Sequence, residues 1–386
     1  MENKKQNIEL ADILLSHSDS FKQSHKLCPE QRKAYKAISL CRTSVLGGHI
    51  EHCDNCTHAR YAYNSCRNRN CPKCQFIKKA QWVDKLAANL PAVKHFHLVF
   101  TIPHTLNKLF YLNQAKAYDL FFKAAAKALS QVAANPQFLG AQIGAVASLH
   151  TWGQNLSYHP HIHAIVPAGG LSDDLMEWIP AGKKFFLPVK VLSAVFRGML
   201  CRLLKEAVLK GDIILPADVE CFSEIRNQCY RKNWVVYCEK PFKSAKNLIN
   251  YLGNYSNRIA ISSNRIISHD NKKVMFYAKD YKNAGIKKTI SLDANEFIRR
   301  FMQHVLPSGF YKTRYWGFMS MSNMSTKLKL CYDLTGEASF LPVLEGLPAL
   351  DIWRNITKTD PMICPMCKKG KMAGRKKLKH QKAEYG

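Results

Sequence analysis

Two kinds of hydrophobic pattern alternate along the chain. Apolar residues recur at helical spacing in residues 10–25, 29–44 and 74–90, which predicts helices in the first part of the sequence. Short apolar runs typical of strands follow, and longer helical patterns at 113–135 and 244–257 separate them. The strand-like runs are residues 95–103, 141–153, 161–170, 233–241 and 274–281. The pattern therefore predicts a chain that mixes helices and strands.

These patterns divide the chain into three blocks. Residues 1–90 combine helices with a cysteine-rich segment, and residues 91–335 carry the alternating strands and helices. Residues 336–386 are rich in loops and contain one CxxC pair, and we expect the basic run at 368–386 to be a disordered tail.

The charge of the chain indicates the class of its partner. Its 386 residues include 57 Lys and Arg against 28 Asp and Glu, a formal net charge of +29. Such an excess repels itself unless a polyanion neutralises it, which favours a nucleic-acid-binding protein. We find no apolar run long enough to span a bilayer, and "MENKKQNIEL" lacks the apolar core of a signal peptide. We therefore expect a cytoplasmic protein without a membrane partner.

The cysteines are spaced for metal binding rather than for disulfides. Cys53, Cys56, Cys71 and Cys74 form two CxxC pairs separated by fourteen residues, and they could supply four thiolates to one structural zinc ion. Such a closed site would fold a small basic module instead of doing chemistry.

Other cysteines leave further sites open. Cys41, His49 and Cys66 could furnish most of a second zinc site. Cys364 and Cys367 form half a site, either completed by distant ligands or present as a plain pair of thiols.

The segment "HPHIH" places histidines at alternate positions. On a strand, His161 and His163 would face one side, and an antiparallel neighbour at 141–153 would bring His150 close to them. Two imidazoles favour a transition metal, whereas Mg²⁺ would need substrate phosphates and waters to complete its shell. The alternative is a solvated or hydrogen-bonded histidine pair without metal.

Two tyrosines share one face of the predicted helix at 244–257. Tyr251 and Tyr255 are four residues apart, and this spacing is common for packing residues. In a basic chain with a histidine pair, a tyrosine oxygen could instead attack a DNA phosphodiester and form a 5′-phosphotyrosine. A bound metal would polarise the phosphate oxygen.

The ordered motifs resemble a known family. They are "CRTSVLGGHIEHCDNC", "NSCRNRNCPKCQ", "HFHLVFTIPHTL", "LHTWGQNLSYHPHIHAIVPAGGL", "YLGNYSNRIAISSNRI" and "EFIRRFMQHVLPSGFYKTRYWGF". Across residues 25–335 the chain is similar to the HUH-type, two-tyrosine rolling-circle transposases of the insertion sequence ninety-one family.

The resemblance implies a fold, a reaction and a set of residues. The fold is an α+β HUH nuclease domain with a central antiparallel sheet flanked by helices, preceded by a small zinc-binding domain and followed by a basic C-terminal segment. His161 and His163 fall on the metal motif, and Tyr251 and Tyr255 fall on the nucleophiles. The third metal ligand is not fixed by the motif, and we place it at His150, with His159, Gln154 and Asn254 as competitors.

The expected activity is transposition through nicking and strand transfer of single-stranded DNA at element ends and in target DNA. It requires Mg²⁺ or Mn²⁺ in addition to structural zinc, and it places the protein with the bacterial nucleoid. Basic residues expected to contact DNA are Arg67, Arg69, Lys73, Arg258, Arg265, Lys312 and Arg314. Two alternatives remain: a zinc-containing DNA-binding protein without nuclease activity, and an HUH replication initiator or relaxase.

Overall fold

The computed structural model describes residues 8–182, 186–239, 260–280, 283, 285–335 and 342–378. Helices and strands follow one another within these ranges much as the hydrophobic pattern predicts. None of the helices in this part of the chain is long and apolar enough to cross a bilayer.

Short helices and one hairpin make up the N-terminal part of the chain. Its elements are α1 (Leu10–Ser16), α2 (Ser18–Ser24), α3 (Pro29–Ser39), β1 (Gly48–Cys53), β2 (Ala59–Tyr63) and α4 (Phe76–Ala88). The single helix predicted at 10–25 is divided at His17, which caps the end of α1 and the start of α2. Pro29 begins α3, because a proline at the first helical position leaves no hydrogen bond unmade.

A five-stranded antiparallel sheet lies at the centre of the molecule, in the order β12–β4–β5–β3–β8. Its strands are β3 (His95–Thr101), β4 (Gly144–Trp152), β5 (Tyr158–Pro167), β8 (Val236–Cys238) and β12 (Thr313–Gly317). Helices α6 (Gln114–Ala134) and α7 (Val189–Leu209) pack against one face. The predicted α+β architecture with a central antiparallel sheet flanked by helices is therefore found.

Strand alternation gives the two faces of this sheet different chemistry. On β3, Phe96, Leu98 and Phe100 point into the core beneath α6 and α7. The intervening residues include His95 and His97, which point to the opposite face. The helix-covered face is therefore apolar, and the other face carries histidines.

A second layer joins the N-terminal helices to a later part of the chain. Strands β9 (Ile266–His269), β10 (Lys273–Asp280) and β11 (Ile286–Asp293) form a separate antiparallel sheet, followed by α9 (Ala294–Met302). Apolar residues of α1, α2 and α3 share one core with this sheet and α9. The N-terminal helices therefore pack on residues far away in sequence.

The other elements in the described ranges are α5 (Asn107–Leu112), β6 (Gly169–Leu171), β7 (Trp178–Pro180), α8 (Phe222–Tyr230), α10 (Lys329–Thr335), α11 (Ala349–Thr357) and β13 (Met372–Leu378). Strand β13 corrects the expectation of a disordered tail, because it pairs antiparallel with β1 in a three-stranded sheet of order β13–β1–β2. Backbone hydrogen bonds to β1 order a sequence whose own composition is too polar to indicate a strand.

Gly317 is required by the close pairing of β12 with β4. It adopts a φ of +56°, and a Cβ atom there would collide with the carbonyl oxygen of Ile143. We expect Gly317→Ala to lower the free energy of unfolding by about 3 kcal/mol or more, because backbone strain and a backbone clash add.

Gly211→Ala is the matched control. Gly211 has a φ of +73° with open space around it, so its substitution should cost only about 1 kcal/mol. Urea denaturation of the two variants measures the difference, and equal losses would contradict the steric explanation.

His304 makes the stability of the fold dependent on pH. Its Nδ1 lies 3.1 Å from Thr151 Oγ1, its Nε2 lies 3.1 Å from the Leu156 carbonyl oxygen, and burial lowers its pKa to about 3. The unfolded chain binds this proton near pH 6.5, so His304 opposes folding below that pH and not above it. The free energy of unfolding should fall as the pH drops below about 6.5, by about 1.4 kcal/mol per pH unit from this residue.

Urea denaturation of wild type and His304→Gln at pH 7.5, 6.5 and 5.5 tests this expectation. The slope of stability against pH should be smaller in the variant by about one proton. The exposed Gln137, changed to Asn, serves as a control without a titrating group and should leave the slope unchanged. An unchanged slope in His304→Gln would show that the ring takes up its proton without unfolding.

Candidate metal centres

Three histidines of the central sheet converge on one point. In the β4–β5 register, His150 lies directly opposite His161, and Ser148 lies opposite His163. Directly opposed residues point to the same side of an antiparallel pair, so all three imidazoles share the face away from α6 and α7. Their candidate ligand nitrogens lie within 4.8 Å of one another.

Hydrogen bonds orient two of these rings. The Nδ1 atom of His161 lies 2.7 Å from the carbonyl oxygen of His159, to which it donates its proton. The Nε2 atom of His161 is then an acceptor and can ligate a metal ion. His159, a competing candidate for the third ligand, therefore orients the His161 ring through its backbone carbonyl oxygen.

A chain of three side chains orients His163. The Nδ1 atom of His163 lies 2.7 Å from His97 Nε2, and His97 Nδ1 lies 3.1 Å from Glu239 Oε2. Because an ionised carboxylate only accepts, His97 Nδ1 donates to Glu239, and His97 Nε2 accepts a hydrogen bond from His163 Nδ1. In this tautomer the Nε2 atom of His163 carries the lone pair, which is the form in which an imidazole binds a metal ion. Neither His97 nor Glu239 was predicted from the sequence.

Burial keeps these rings neutral. It lowers the pKa of His161 to about 4 and holds the pKa of His150 and of His163 well below the usual range, because a buried imidazolium loses its hydration. Neighbouring histidine rings oppose protonation further. Neutral imidazole is the form that binds metal ions, so the donor set fits a divalent cation whose remaining ligands are oxygens.

The eight cysteines of the CxxC pairs and their neighbours form two groups. The first cluster is Cys41, Cys66, Cys71 and Cys74, and the second cluster is Cys53, Cys56, Cys364 and Cys367. Within the first cluster, the Cys74 sulfur lies 3.3 Å from that of Cys41 and 3.6 Å from that of Cys66. Four thiols at such distances fit a tetrahedral zinc ion.

This arrangement corrects the predicted grouping of Cys53, Cys56, Cys71 and Cys74 around one ion. The fourteen residues between the two pairs include β2, and β1 and β2 form a hairpin about 15–20 Å long. The first pair lies at the hairpin turn, and the second pair follows its opposite end. Cys41 and Cys66 complete the first cluster, whereas His49 instead contacts Glu51 at 3.0 Å.

Several predicted DNA-binding arginines make contacts within the protein. The Arg69 guanidinium donates to the carbonyl oxygens of Leu306, Pro307 and Phe310. Arg265 donates to three further carbonyl oxygens, those of Tyr277, Ala260 and Gln154. These cations therefore tie separate segments together.

The remaining predicted DNA contacts differ from one another. Lys73 pairs with Glu9, and Arg314 pairs with Asp119 while stacking over Phe122. Burial lowers the pKa of Lys312 to about 7. Arg67 is exposed.

Tyr251, Tyr255 and Arg258 lie outside the described residues, as does the competing ligand Asn254. The described residues on either side of this segment bond to strand β3 and to the turn between β4 and β5. Glu239 contacts His97, and Arg265 bonds to the Ala260 carbonyl and to Gln154, which follows the strand that carries His150. The backbone carbonyl oxygen of Gln154, another candidate for the third metal ligand, thus accepts a hydrogen bond from Arg265.

Two protein families match the chain. The family described as "Transposase zinc-binding domain" matches residues 13–102, and the family described as "Putative transposase" matches residues 144–327. The first match contains the whole first cluster and the second contains the three histidines. Cys364 and Cys367 lie outside both.

Two curated relatives match over most of their length. The "Putative transposase y4qJ" of Sinorhizobium fredii is 41% identical over 374 residues, covering 94% of each chain. The transposase for insertion sequence element IS801 of Pseudomonas savastanoi is 29% identical over 335 residues, covering 85% of this chain and 79% of its own. No solved structure matches the chain. The chain therefore belongs to the insertion sequence ninety-one family of transposases, which combine a zinc-binding domain with a two-tyrosine transposase domain.

Proposed function

We propose that this transposase is an HUH-type enzyme that nicks and transfers single-stranded DNA at the ends of its element by a rolling-circle mechanism. The observation that carries the proposal is the convergence of three imidazoles, those of His150, His161 and His163, on the face of the central sheet opposite α6 and α7. The bacterial nucleoid is then its place of action.

We assign Mg²⁺ or Mn²⁺ to this histidine site. Three nitrogen donors alone favour a transition metal, and a hard cation is accommodated when phosphate oxygens and waters supply the remaining ligands. When bound, the cation withdraws electrons from a non-bridging phosphate oxygen and favours attack at phosphorus.

Tyr251 and Tyr255 are the proposed nucleophiles. The tyrosine oxygen bonds to phosphorus as its phenolic proton leaves to a base or water, the bond from phosphorus to the 3′ oxygen breaks, and water supplies a proton to the 3′ oxygen. The products are a 5′-phosphotyrosine and a 3′-hydroxyl, so the energy of the phosphodiester is retained for rejoining. Two tyrosines allow one covalent end to be held while a second strand, from the element or the target, is cleaved.

The positions of Glu239 and Arg265 support this assignment. They flank the tyrosine segment in sequence, and each bonds to a residue on or next to the strands that carry the histidines. The described residues on the two sides of the tyrosine segment are thus tied to β3 and to the turn between β4 and β5.

A covalent-adduct assay tests the reaction. Full-length protein is incubated with labelled single-stranded DNA from an element terminus and Mn²⁺, then denatured. We expect an adduct that survives denaturation, because a phosphotyrosine is a covalent bond. The double variant Tyr251→Phe/Tyr255→Phe and the variant His161→Ala should form none, whereas Tyr311→Phe, which changes a tyrosine that is 80% exposed, should form as much as wild type.

Two other outcomes would each indicate a different activity. Reduced electrophoretic mobility of the DNA, with no covalent adduct in the presence of any divalent metal ion, would indicate a DNA-binding protein without nuclease activity. An adduct that forms on a plasmid replication origin and not on element termini would indicate a replication initiator.

The hydrogen bonds that link Glu239, His97 and His163 should affect the affinity of the histidine site for a metal ion. Removing a hydrogen-bonded partner of a ligating histidine typically weakens metal binding by about 10- to 100-fold. We expect His97→Gln and Glu239→Gln each to weaken Mn²⁺ binding within this range, measured by calorimetry without DNA. Glu220→Gln, on the exposed surface, should bind Mn²⁺ like wild type. Unchanged affinity in both chain variants would refute the orienting role.

A further inference from the structure

The second cluster joins the two ends of the chain. Cys53 ends β1 and Cys56 follows it, whereas Cys364 and Cys367 precede β13, more than 300 residues later. The Cys53 and Cys367 sulfurs lie 3.7 Å apart, as do those of Cys56 and Cys364. Zn–S bonds of about 2.3 Å in a tetrahedron separate sulfurs by about 3.8 Å, whereas a disulfide would bring them to about 2 Å.

Backbone groups support the sulfurs on both sides of this cluster. The Asn55 amide donates to Cys53 Sγ and the Gly370 amide donates to Cys367 Sγ, each at 3.3 Å. A Cβ atom on Gly370 would crowd the Cys53 sulfur, so glycine permits the two pairs to approach. The two CxxC turns therefore present the same kind of amide-to-sulfur bond to a shared centre.

Few apolar contacts hold β13 in place. Met372 is buried, but the five residues from 373 to 377 are exposed. Hydrogen bonds to β1 are by themselves a weak fastening for an exposed edge strand of a three-stranded sheet. Bonds from a metal ion to both pairs of cysteines would fix the start of β13 against the end of β1.

One cation of the strand, Lys376, lies on a face with aromatic residues, whereas Arg375 lies on the opposite face and pairs with Glu51. Residues 361–378 contain no Asp or Glu, and their six cations are Lys368, Lys369, Lys371, Arg375, Lys376 and Lys377. Ile50 of β1 lies opposite Lys376 on one side and Tyr61 on the other, so these side chains share a face. Tyr61 is 64% exposed and stacks on Tyr63 at 5.9 Å.

Aromatic rings beside cations are suited to unpaired nucleotides. Bases stack on the rings while lysines contact the phosphates, and duplex DNA offers no free base faces for this contact. Charge complementarity thus favours single-stranded DNA as the occupant of this face.

We propose that the second cluster binds a zinc ion that fastens β13 to β1 and thereby completes a single-stranded-DNA-binding face made of Tyr61, Tyr63 and Lys376. The identity of this ligand rests on the proposed function, whereas the zinc site does not. This face is separate from the histidine site and would retain DNA independently of nicking.

Zinc content, measured by mass spectrometry on full-length protein that carries His161→Ala, tests the second cluster without a contribution from the histidine site. This protein should contain two zinc ions per chain, and the same protein with Cys364→Ser/Cys367→Ser should contain one. The control is Cys28→Ser/Cys221→Ser, which changes two exposed cysteines that precede helices, where serine is a good cap, and it should keep two. One zinc ion in the protein with all its cysteines, or two in the cluster variant, would overturn the proposal.

Limited trypsin digestion tests the fastening of the strand. Cleavage within residues 368–377 should be slow in wild type and fast in Cys364→Ser/Cys367→Ser, while the rest of the chain keeps its digestion pattern. Equal rates of cleavage in this segment would show that zinc does not hold β13.

Fluorescence anisotropy with labelled single-stranded and duplex oligonucleotides tests the face itself. Tyr61→Ala and Lys376→Gln keep all eight cysteines, so they should retain two zinc ions yet bind single strands about fivefold or more weakly. Lys376→Gln should also reduce the dependence of affinity on salt by about 0.7 in logarithmic slope. Unchanged single-strand affinity in both variants would overturn the face.

The adduct assay separates this inference from the proposed function. Absence of an adduct with wild type would refute nicking. If the chain still contains two zinc ions and Tyr61→Ala still weakens single-strand binding, the binding face stands. An adduct in a protein that contains one zinc ion would support nicking and refute the zinc site of the second cluster.

Discussion

The antiparallel register between β4 and β5 is the constraint on which the site depends. It sets His150 opposite His161 and places His163 two residue pairs further along, so three imidazoles share a face. A shift by one residue would turn this set toward α6 and α7 and expose the apolar residues that now form the core. Burial of Ile162 and Ala164 beneath the helices therefore fixes the histidines as firmly as any contact between the rings.

Positive charge in this chain does two different kinds of work. Arg69 and Arg265 each bond to three carbonyl oxygens and so connect segments that are distant in sequence. The lysines near the C-terminus are exposed instead. A net charge of +29 indicates a polyanionic partner, but it does not say which cations remain available to that partner.

Local pattern predicted much of the fold. The helix predicted at 113–135 is α6, and the strands predicted around His150 and His161 do pair in antiparallel fashion. The hydrogen bonds by which Glu239 and His97 orient His163 could not be predicted from the sequence. They form because β3 lies between β5 and β8 in the sheet, and this order is not visible in a local pattern. The only sequence signal was the alternation of His95 and His97 with apolar residues, which marks a strand and not its neighbour.

The sequence by itself determined the chemistry available to the protein: thiol pairs spaced for metal binding, histidines at alternate strand positions, two tyrosines four residues apart and a large excess of cations. Only the tertiary structure decided which thiols share an ion, because the β1–β2 hairpin separates neighbouring CxxC pairs while β13 returns a distant one. Spacing fixes what a segment of a few residues can reach. The partners of a metal site are selected by how strands pair and cores pack over the whole chain.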